Sequence, residues 1–189
     1  MKIKVVWNGE LLDKRVIIWN PKAISLYDDS GYGKPVPENN PNRLELDLIE
    51  AAFLMERKRL RVFVMENNKK RYLTLEELMR IGEERVNQFH LQYVVYRDLR
   101  NRGLLVKTGY KFGAHFRVYG RGVKLKRGPK APHEHTRWVV HCVNEEAAFS
   151  LPEMSRAVRL AHNIRATFLW AVVDKENDVT YYQITRITP

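Results

Sequence analysis
The run Phe168-Leu169-Trp170-Ala171-Val172-Val173 constrains the fold more than any other stretch of this chain. Six consecutive apolar residues suit a central strand covered on both faces, because side chains on either side of the sheet then leave water. The flanking sequence agrees. Upstream, Ser150-Leu151-Pro152-Glu153 is a capping box with proline tolerated in the first turn, and it opens a helix to about Arg165. Downstream, Asp174-Lys175-Glu176-Asn177-Asp178 is a polar turn, after which Val179 to Ile187 alternates as a final strand. Earlier, Thr136 to Val143 is apolar and β-branched. His115 to Tyr119 alternates, with Phe116 and Val118 on one face and His115, Arg117 and Tyr119 on the other. The C-terminal half therefore reads strand, strand, basic loop, strand, helix, strand, strand, a mixed sheet flanked by helices.

The N-terminal half is less regular. Residues 1 to 35 read as short strands and turns, with Asn8-Gly9 a hairpin signal and Arg15 to Trp19 strand-like before Pro21. Gly31 to Pro35 and then Pro37 to Pro41 form a turn-rich loop. A helical period runs from Leu44 to Lys58, with Leu44, Leu48, Ala51 and Met55 on one side. Leu60 to Met65 reads as a strand, and Thr74-Leu75-Glu76-Glu77 as a capping box opening a short helix. A longer helix is expected over about Glu83 to Arg102, closed by Gly103 in a left-handed cap. The fold class is α+β in two small domains, an N-terminal mixed α/β domain over residues 1–85 and a C-terminal domain over 86–189.

Charge narrows the function. Thirty-three Lys and Arg against 22 Asp and Glu leave +11, an excess that favours a polyanionic partner, nucleic acid first. A thermophile's surface accounts for many charges but not for this one-sided balance. No apolar run approaches the roughly 20 residues of a membrane span. The N-terminus reads as an alternating strand, not a secretory signal. The expected setting is cytoplasmic, with no membrane partner. Cys142 is the single cysteine, so no intrachain disulfide forms.

The residues suited to chemistry cluster after residue 110. A phenol on a polar strand face, Tyr119, is followed by a basic loop and by two imidazoles, His133 and His135, which together suggest proton transfer on an anionic substrate. Between Gly120 and Lys130 lie Arg121, Lys124, Lys126, Arg127 and Lys130 without an acid; confined like charges need counter-ions, which a phosphate backbone supplies. On the helix after Ser150, Arg156, Arg159, Asn163 and Ala166 share a stripe opposite Met154, Val158, Ala161 and Ile164. Guanidinium groups on that stripe suit phosphate contact or base stacking, although an ordinary solvated face has the same composition. His141, His162 and Cys142 do not complete a zinc set with His133 and His135, so no metal and no cofactor is expected.

Lys111-Phe112-Gly113-Ala114-His115-Phe116-Arg117-Val118-Tyr119, then Glu134-His135, then Arg159-Leu160-Ala161-His162-Asn163-Ile164-Arg165, resemble the C-terminal domain of archaeal tRNA-intron splicing endonucleases in order and wording. Tyr93 to Gly103 is similar to that family's connecting helix. Gly31-Tyr32-Gly33, Leu44-Glu45-Leu46 and Glu50-Ala51 are similar to its N-terminal domain. The resemblance spans nearly the whole chain.

That resemblance implies a metal-free endoribonuclease that cuts precursor tRNA at a bulge-helix-bulge motif, leaving 2′,3′-cyclic phosphate and 5′-hydroxyl ends. Tyr119 matches the family tyrosine, the base for the ribose 2′-OH, and His135 the acid that protonates the departing 5′ oxygen. The family lysine falls on Ala166. An engineered inactivation, a naturally impaired subunit and substitution by a neighbour such as Arg165 are the three explanations. The intact flanking motif favours engineered replacement by a small residue. His115 stands where the family has Asp and rivals His135 as the acid. The long interval from Tyr119 to His135 resembles the basic insertion of crenarchaeal enzymes, which implies a structural subunit as partner in a heterotetramer. Arg159 resembles an arginine that clamps a bulged base, and Asp174, Glu176 and Asp178 match a partner-docking acidic loop. A non-catalytic RNA-binding or structural subunit is the alternative from another class.

Overall fold
The computed structural model describes residues 6–37, 39–110, 113–125 and 135–187. Their contacts divide the chain into two units, Met1–Tyr93 and Val94–Pro189. The α+β class with two mixed sheets and flanking helices is as the sequence predicts.

The first unit is built on a six-stranded sheet of order β3-β4-β2-β1-β5-β6, all antiparallel except the β1–β5 pair. The strands are β1 (Trp7–Leu12), β2 (Arg15–Ile18), β3 (Lys34–Val36), β4 (Arg43–Asp47), β5 (Leu60–Glu66) and β6 (Lys69–Tyr72). Several local expectations fail here for tertiary reasons. Asn8-Gly9 is not a turn but lies inside β1, opposite Arg61 and Val62. A Cβ on Gly9 would sit 2.4 Å from Val16 Cγ1, so glycine is required by close strand packing. The hairpin turns instead at Asp13-Lys14, with Asp13 at φ 49. Pro21–Ile24 forms a 3-10 turn and Ser25–Ser30 the helix α1, where the sequence predicts only strands and turns.

The helical period expected from Leu44 is interrupted in the same way. Arg43–Asp47 pairs with both β2 and β3, burying Leu44 and Leu46, and the helix α2 begins only at Leu48 and ends at Glu56. Asp47 is its N-cap in a capping box with Glu50. Glu50 is 3% exposed, and its two carboxylate oxygens accept from the backbone N–H groups of Gly33 and Asp47. The helix opened by Thr74, α3, runs from Leu75 to Arg85, longer than expected, and a new helix, α4 (Phe89–Asn101), follows a break at residues 86–88. The break seats the Phe89 ring on Gly82, where a Cβ would come within 2.4 Å of it.

The second unit is a five-stranded sheet of order β11-β10-β9-β8-β7. Its strands are β7 (Leu105–Thr108), β8 (Phe116–Tyr119), β9 (Trp138–Asn144), β10 (Thr167–Val173) and β11 (Val179–Ile184). Only β9 and β10 are parallel, joined through α5 (Leu151–Asn163). β10 is interior as predicted, with Phe168, Trp170, Ala171 and Val173 buried, although Leu169 and Val172 are only half-buried. Ser150 caps α5 through the predicted capping box, and Gly103 closes α4 at φ 78. Residues 94–189 hold about half of the Lys and Arg but fewer than half of the Asp and Glu, so most of the net positive charge resides in this unit. Among the described residues no helix is long and apolar enough to cross a membrane.

Candidate active site
Strand direction brings the predicted catalytic positions to one edge of the second sheet. β8 is antiparallel to β9 and β9 is parallel to β10, so the end of β8 meets the beginnings of β9 and β10. Trp138 is the hinge of this register, facing Val118 on one side and Thr167 on the other. Beside it, the Arg137 N–H donates to the Val118 carbonyl at 2.9 Å, and the Thr167 N–H donates to the Arg137 carbonyl at 3.0 Å. Tyr119 follows Val118, Ala166 precedes Thr167, and His135 lies just ahead of Arg137.

A cleft of about 1000 Å³ opens at this edge. Exposed His135 lines it, with Arg102, Arg121, Arg137, Trp138 and Arg165, and its lining residues include no carboxylate. The Arg137 guanidinium lies over Trp138, 4.3 Å from the ring centroid. Such a cation-rich recess with an aromatic plane suits a phosphodiester and its bases. The Tyr119 side chain is only 2% exposed and does not line the cleft, whereas its neighbour Gly120 does.

Ala166 does not lie on the α5 stripe with Arg156 and Arg159, as helical spacing predicts. α5 ends at Asn163, and the chain leaves it through a Schellman motif, with the Ala166 N–H bonded to the Ala161 carbonyl (2.9 Å) and the Arg165 N–H to that of His162 (3.0 Å). Arg165 occupies the left-handed position at φ 55, where glycine is usual. Half-buried Ala166 packs against a cluster that includes Val139, Ala161, Phe168 and Trp170. Its two neighbours, Arg165 and Thr167, line the cleft. Arg156 and Arg159 remain exposed on α5.

His115, the rival acid, lies near the other end of β8, about 13 Å along the strand from Tyr119 at roughly 3.3 Å per residue. Its Nδ1 accepts from the Cys142 N–H at 2.9 Å, and its ring centroid is 4.5 Å from that of His141. Burial, then the nearby His141, lowers its pKa from 6.5 to about 4. His115 is therefore a neutral imidazole at neutral pH, not a proton donor. Its place near the far end of β8, outside the cleft lining, separates it from His135.

Lys124 is exposed in the loop after Gly120. Lys126, Arg127, Lys130 and His133 lie outside the described residues. At the far end of β10, the Asp174 carboxylate accepts from the N–H groups of Glu176 (3.0 Å) and Asp178 (2.8 Å), shaping a turn that exposes Glu176 and Asp178. Lys175 in that turn reaches Glu146 at 3.3 Å, so its charge is partly offset. Among the described residues no three His, Cys, Asp or Glu side chains converge to hold a metal ion.

The motifs of the sequence do not single out Arg102 or Arg137 for this cleft. Strand alternation over Thr136-Arg137-Trp138 predicts opposite faces for Arg137 and Trp138, whereas in the structure the Arg137 guanidinium folds over the Trp138 ring and both line the cleft.

Residues 7–79 match the tRNA intron endonuclease N-terminal domain and residues 89–181 the tRNA intron endonuclease catalytic C-terminal domain. A tRNA-splicing endonuclease of Thermococcus onnurineus is 42% identical over 164 residues, covering 86% of each chain. One of Pyrococcus abyssi is 40% identical over 183 residues, 96% of this chain and 97% of that protein. One of Methanococcoides burtonii is 34% identical over 181 residues, 95% of this chain but 48% of that longer protein. On the match of both domains and of relatives along nearly its full length, the chain belongs to the tRNA intron endonuclease family.

Proposed function
We propose that this chain is the catalytic subunit of a tRNA-splicing endonuclease that cuts precursor tRNA at bulge-helix-bulge motifs. The observation that carries this proposal is the common edge of β8, β9 and β10, where the positions of Tyr119, His135 and Ala166 adjoin an arginine-lined cleft. The reaction is an internal transesterification. The 2′-oxygen attacks the adjacent phosphorus as Tyr119 takes its proton, and the bond to O5′ breaks as His135 returns one. The products are a 2′,3′-cyclic phosphate and a 5′-hydroxyl, and no metal takes part. Arg159 and the basic loop, with Lys124, Lys126, Arg127 and Lys130, hold the RNA. Residues 1–85 form a structural domain and 86–189 the catalytic one.

Ala166 leaves the site without the lysine that would neutralise the phosphorane, a loss typical of about 10²–10³ in rate. We take this alanine as a replacement that impairs the enzyme in part, the remaining activity depending on a neighbouring cation. The long basic loop fits a crenarchaeal-like subtype. There the chain joins a structural subunit in a heterotetramer, docking through Asp174, Glu176 and Asp178. A second reading, a non-catalytic RNA-binding subunit, is favoured by the burial of Tyr119 and the apolar seat of Ala166.

The experiment is cleavage of a bulge-helix-bulge precursor in EDTA, with the structural subunit supplied. Ala166→Lys is expected to raise the rate, with His135→Ala and Tyr119→Phe each abolishing the gain. Absence of any cleavage by Ala166→Lys refutes the catalytic assignment and leaves RNA binding alone.

A further inference from the structure
We infer that Arg165 supplies the positive charge at the scissile phosphate that position 166 no longer provides. The inference rests on the endonuclease proposal above and adds a catalytic residue to it. It starts from the four arginines of the cleft. Arg102 donates from Nε to Asp98 at 2.7 Å and lies over the Tyr181 ring at 5.6 Å. Arg121 donates from Nε to the Arg102 carbonyl at 2.9 Å. Arg137 is stacked on Trp138. The exposed Arg165 side chain has no hydrogen bond, ion pair or ring contact among the described residues, yet it lines the same recess as His135.

The backbone shows why this guanidinium is where it is. Position 165 takes a left-handed conformation that a side chain disfavours, at the last bend before β10. A glycine would make the same turn without strain, so an arginine here is set against local preference. Position 166 turns the other way, its methyl resting on the apolar cluster. The two consecutive residues thus divide the space, with the cation at 165 beside the cleft and the small residue at 166 against the core.

In the transesterification, charge accumulates on the two non-bridging oxygens of phosphorus as the 2′-oxygen bonds and O5′ departs. Arg165 neutralises that charge through a planar pair of N–H donors and transfers no proton, which guanidinium is well suited to do because it stays protonated. The protons still travel from the 2′-OH to the base and from His135 to O5′.

A double-mutant cycle in the full chain with its partner subunit tests this. Single-turnover cleavage and, separately, precursor affinity are measured for the parent, Arg165→Gly, Ala166→Lys and the double variant. Expected is a loss of about 10²-fold in cleavage for Arg165→Gly in the parent, the size of one lost oxyanion donor, with affinity changed less than about threefold. The same substitution in the Ala166→Lys background should cost less than about threefold, because the two cations serve one phosphate. Equal losses in both backgrounds, no loss in either, or a loss confined to affinity overturns the assignment to Arg165. So does a silent parent revived by Ala166→Lys, since the guanidinium then does not stand in. Each of those results leaves the endonuclease proposal standing, provided His135→Ala abolishes the cleavage. Silence of both the parent and Ala166→Lys sinks the two together.

Discussion
Replacing Arg165 by glycine should make the protein more stable while making it a poorer catalyst. A non-glycine residue in the left-handed region costs about 1–2 kcal/mol. Arg165, at φ 55 and with no side-chain partner among the described residues, bears that cost without visible return in stability. Glycine removes the strain but adds about 0.5–1 kcal/mol of unfolded-chain entropy. The net expectation is a gain of about 0.5–1 kcal/mol. Should the C-terminal unit melt as its own transition, this raises its melting temperature by about 2–8 °C, using about 4–8 °C per kcal/mol for a domain of up to 100 residues. Arg165→Ala is the control. It removes the guanidinium but keeps the strain, so it should lose cleavage to the same degree and gain no stability. The assay is denaturant and thermal unfolding followed by tryptophan fluorescence, since Trp138 and Trp170 report on this unit. Destabilisation by about 1 kcal/mol or more in Arg165→Gly, or equal gains for glycine and alanine, refutes the idea that position 165 is strained for the sake of its cation.

Two further expectations concern the frame around the site. Glu50→Ala leaves the backbone N–H groups of Gly33 and Asp47 without their carboxylate, at about 1–3 kcal/mol each. A loss of about 2–6 kcal/mol is therefore expected by chemical denaturation, and a loss below about 1 kcal/mol contradicts the bridging role of this carboxylate. The His115–His141 pair makes stability depend on pH. His115 has its pKa lowered from 6.5 to about 4 in the fold, so between those values the unfolded chain binds the extra proton. Its contribution is full above about pH 6.5 and is lost as pH falls toward 4. Unfolding curves at pH 7.5 and pH 5 should differ more for the parent than for His115→Gln, and an unchanged difference rules out the pair as its source.

The placement of charge in the second unit follows the direction of its strands. The arginine-lined cleft lies at the end of the sheet where β10 starts and the exposed acids Glu176 and Asp178 lie beyond the end of β10, so one strand separates the two signs by about 23 Å, seven residues at roughly 3.3 Å each. Such a separation gives this unit a cationic end at the cleft and an acidic turn at the opposite end of β10. Neither is visible in net charge alone.

Short-range features are legible in the residues themselves. Ser150 and Thr74 cap their helices because the partners lie three residues away, and the alternation of Phe116 to Val118 follows from the pleat of one strand, although Tyr119 is buried where that alternation expects a polar face. The run from Phe168 to Val173 is an interior strand because its composition leaves no other place for it. The Asp47–Glu50 box carries the same kind of local signal and marks the start of α2 at the right residue. Elsewhere distant neighbours decide. Leu44, Leu46 and Leu48 fit a strand and a helix in turn, and only pairing with β2 and β3 selects between them. Gly9 resembles a turn residue until Val16 is brought against it. The proposed catalytic positions stand out by type and motif, but their meeting at one edge depends on the register of three strands separated by a loop and a helix. The left-handed bend at Arg165 is likewise set by where α5 must stop for β10 to begin. The register rests on hydrogen bonds between residues far apart in the chain, which no local pattern of side chains encodes, whereas the bend itself closes through the short-range bonds of Ala166 to Ala161 and Arg165 to His162.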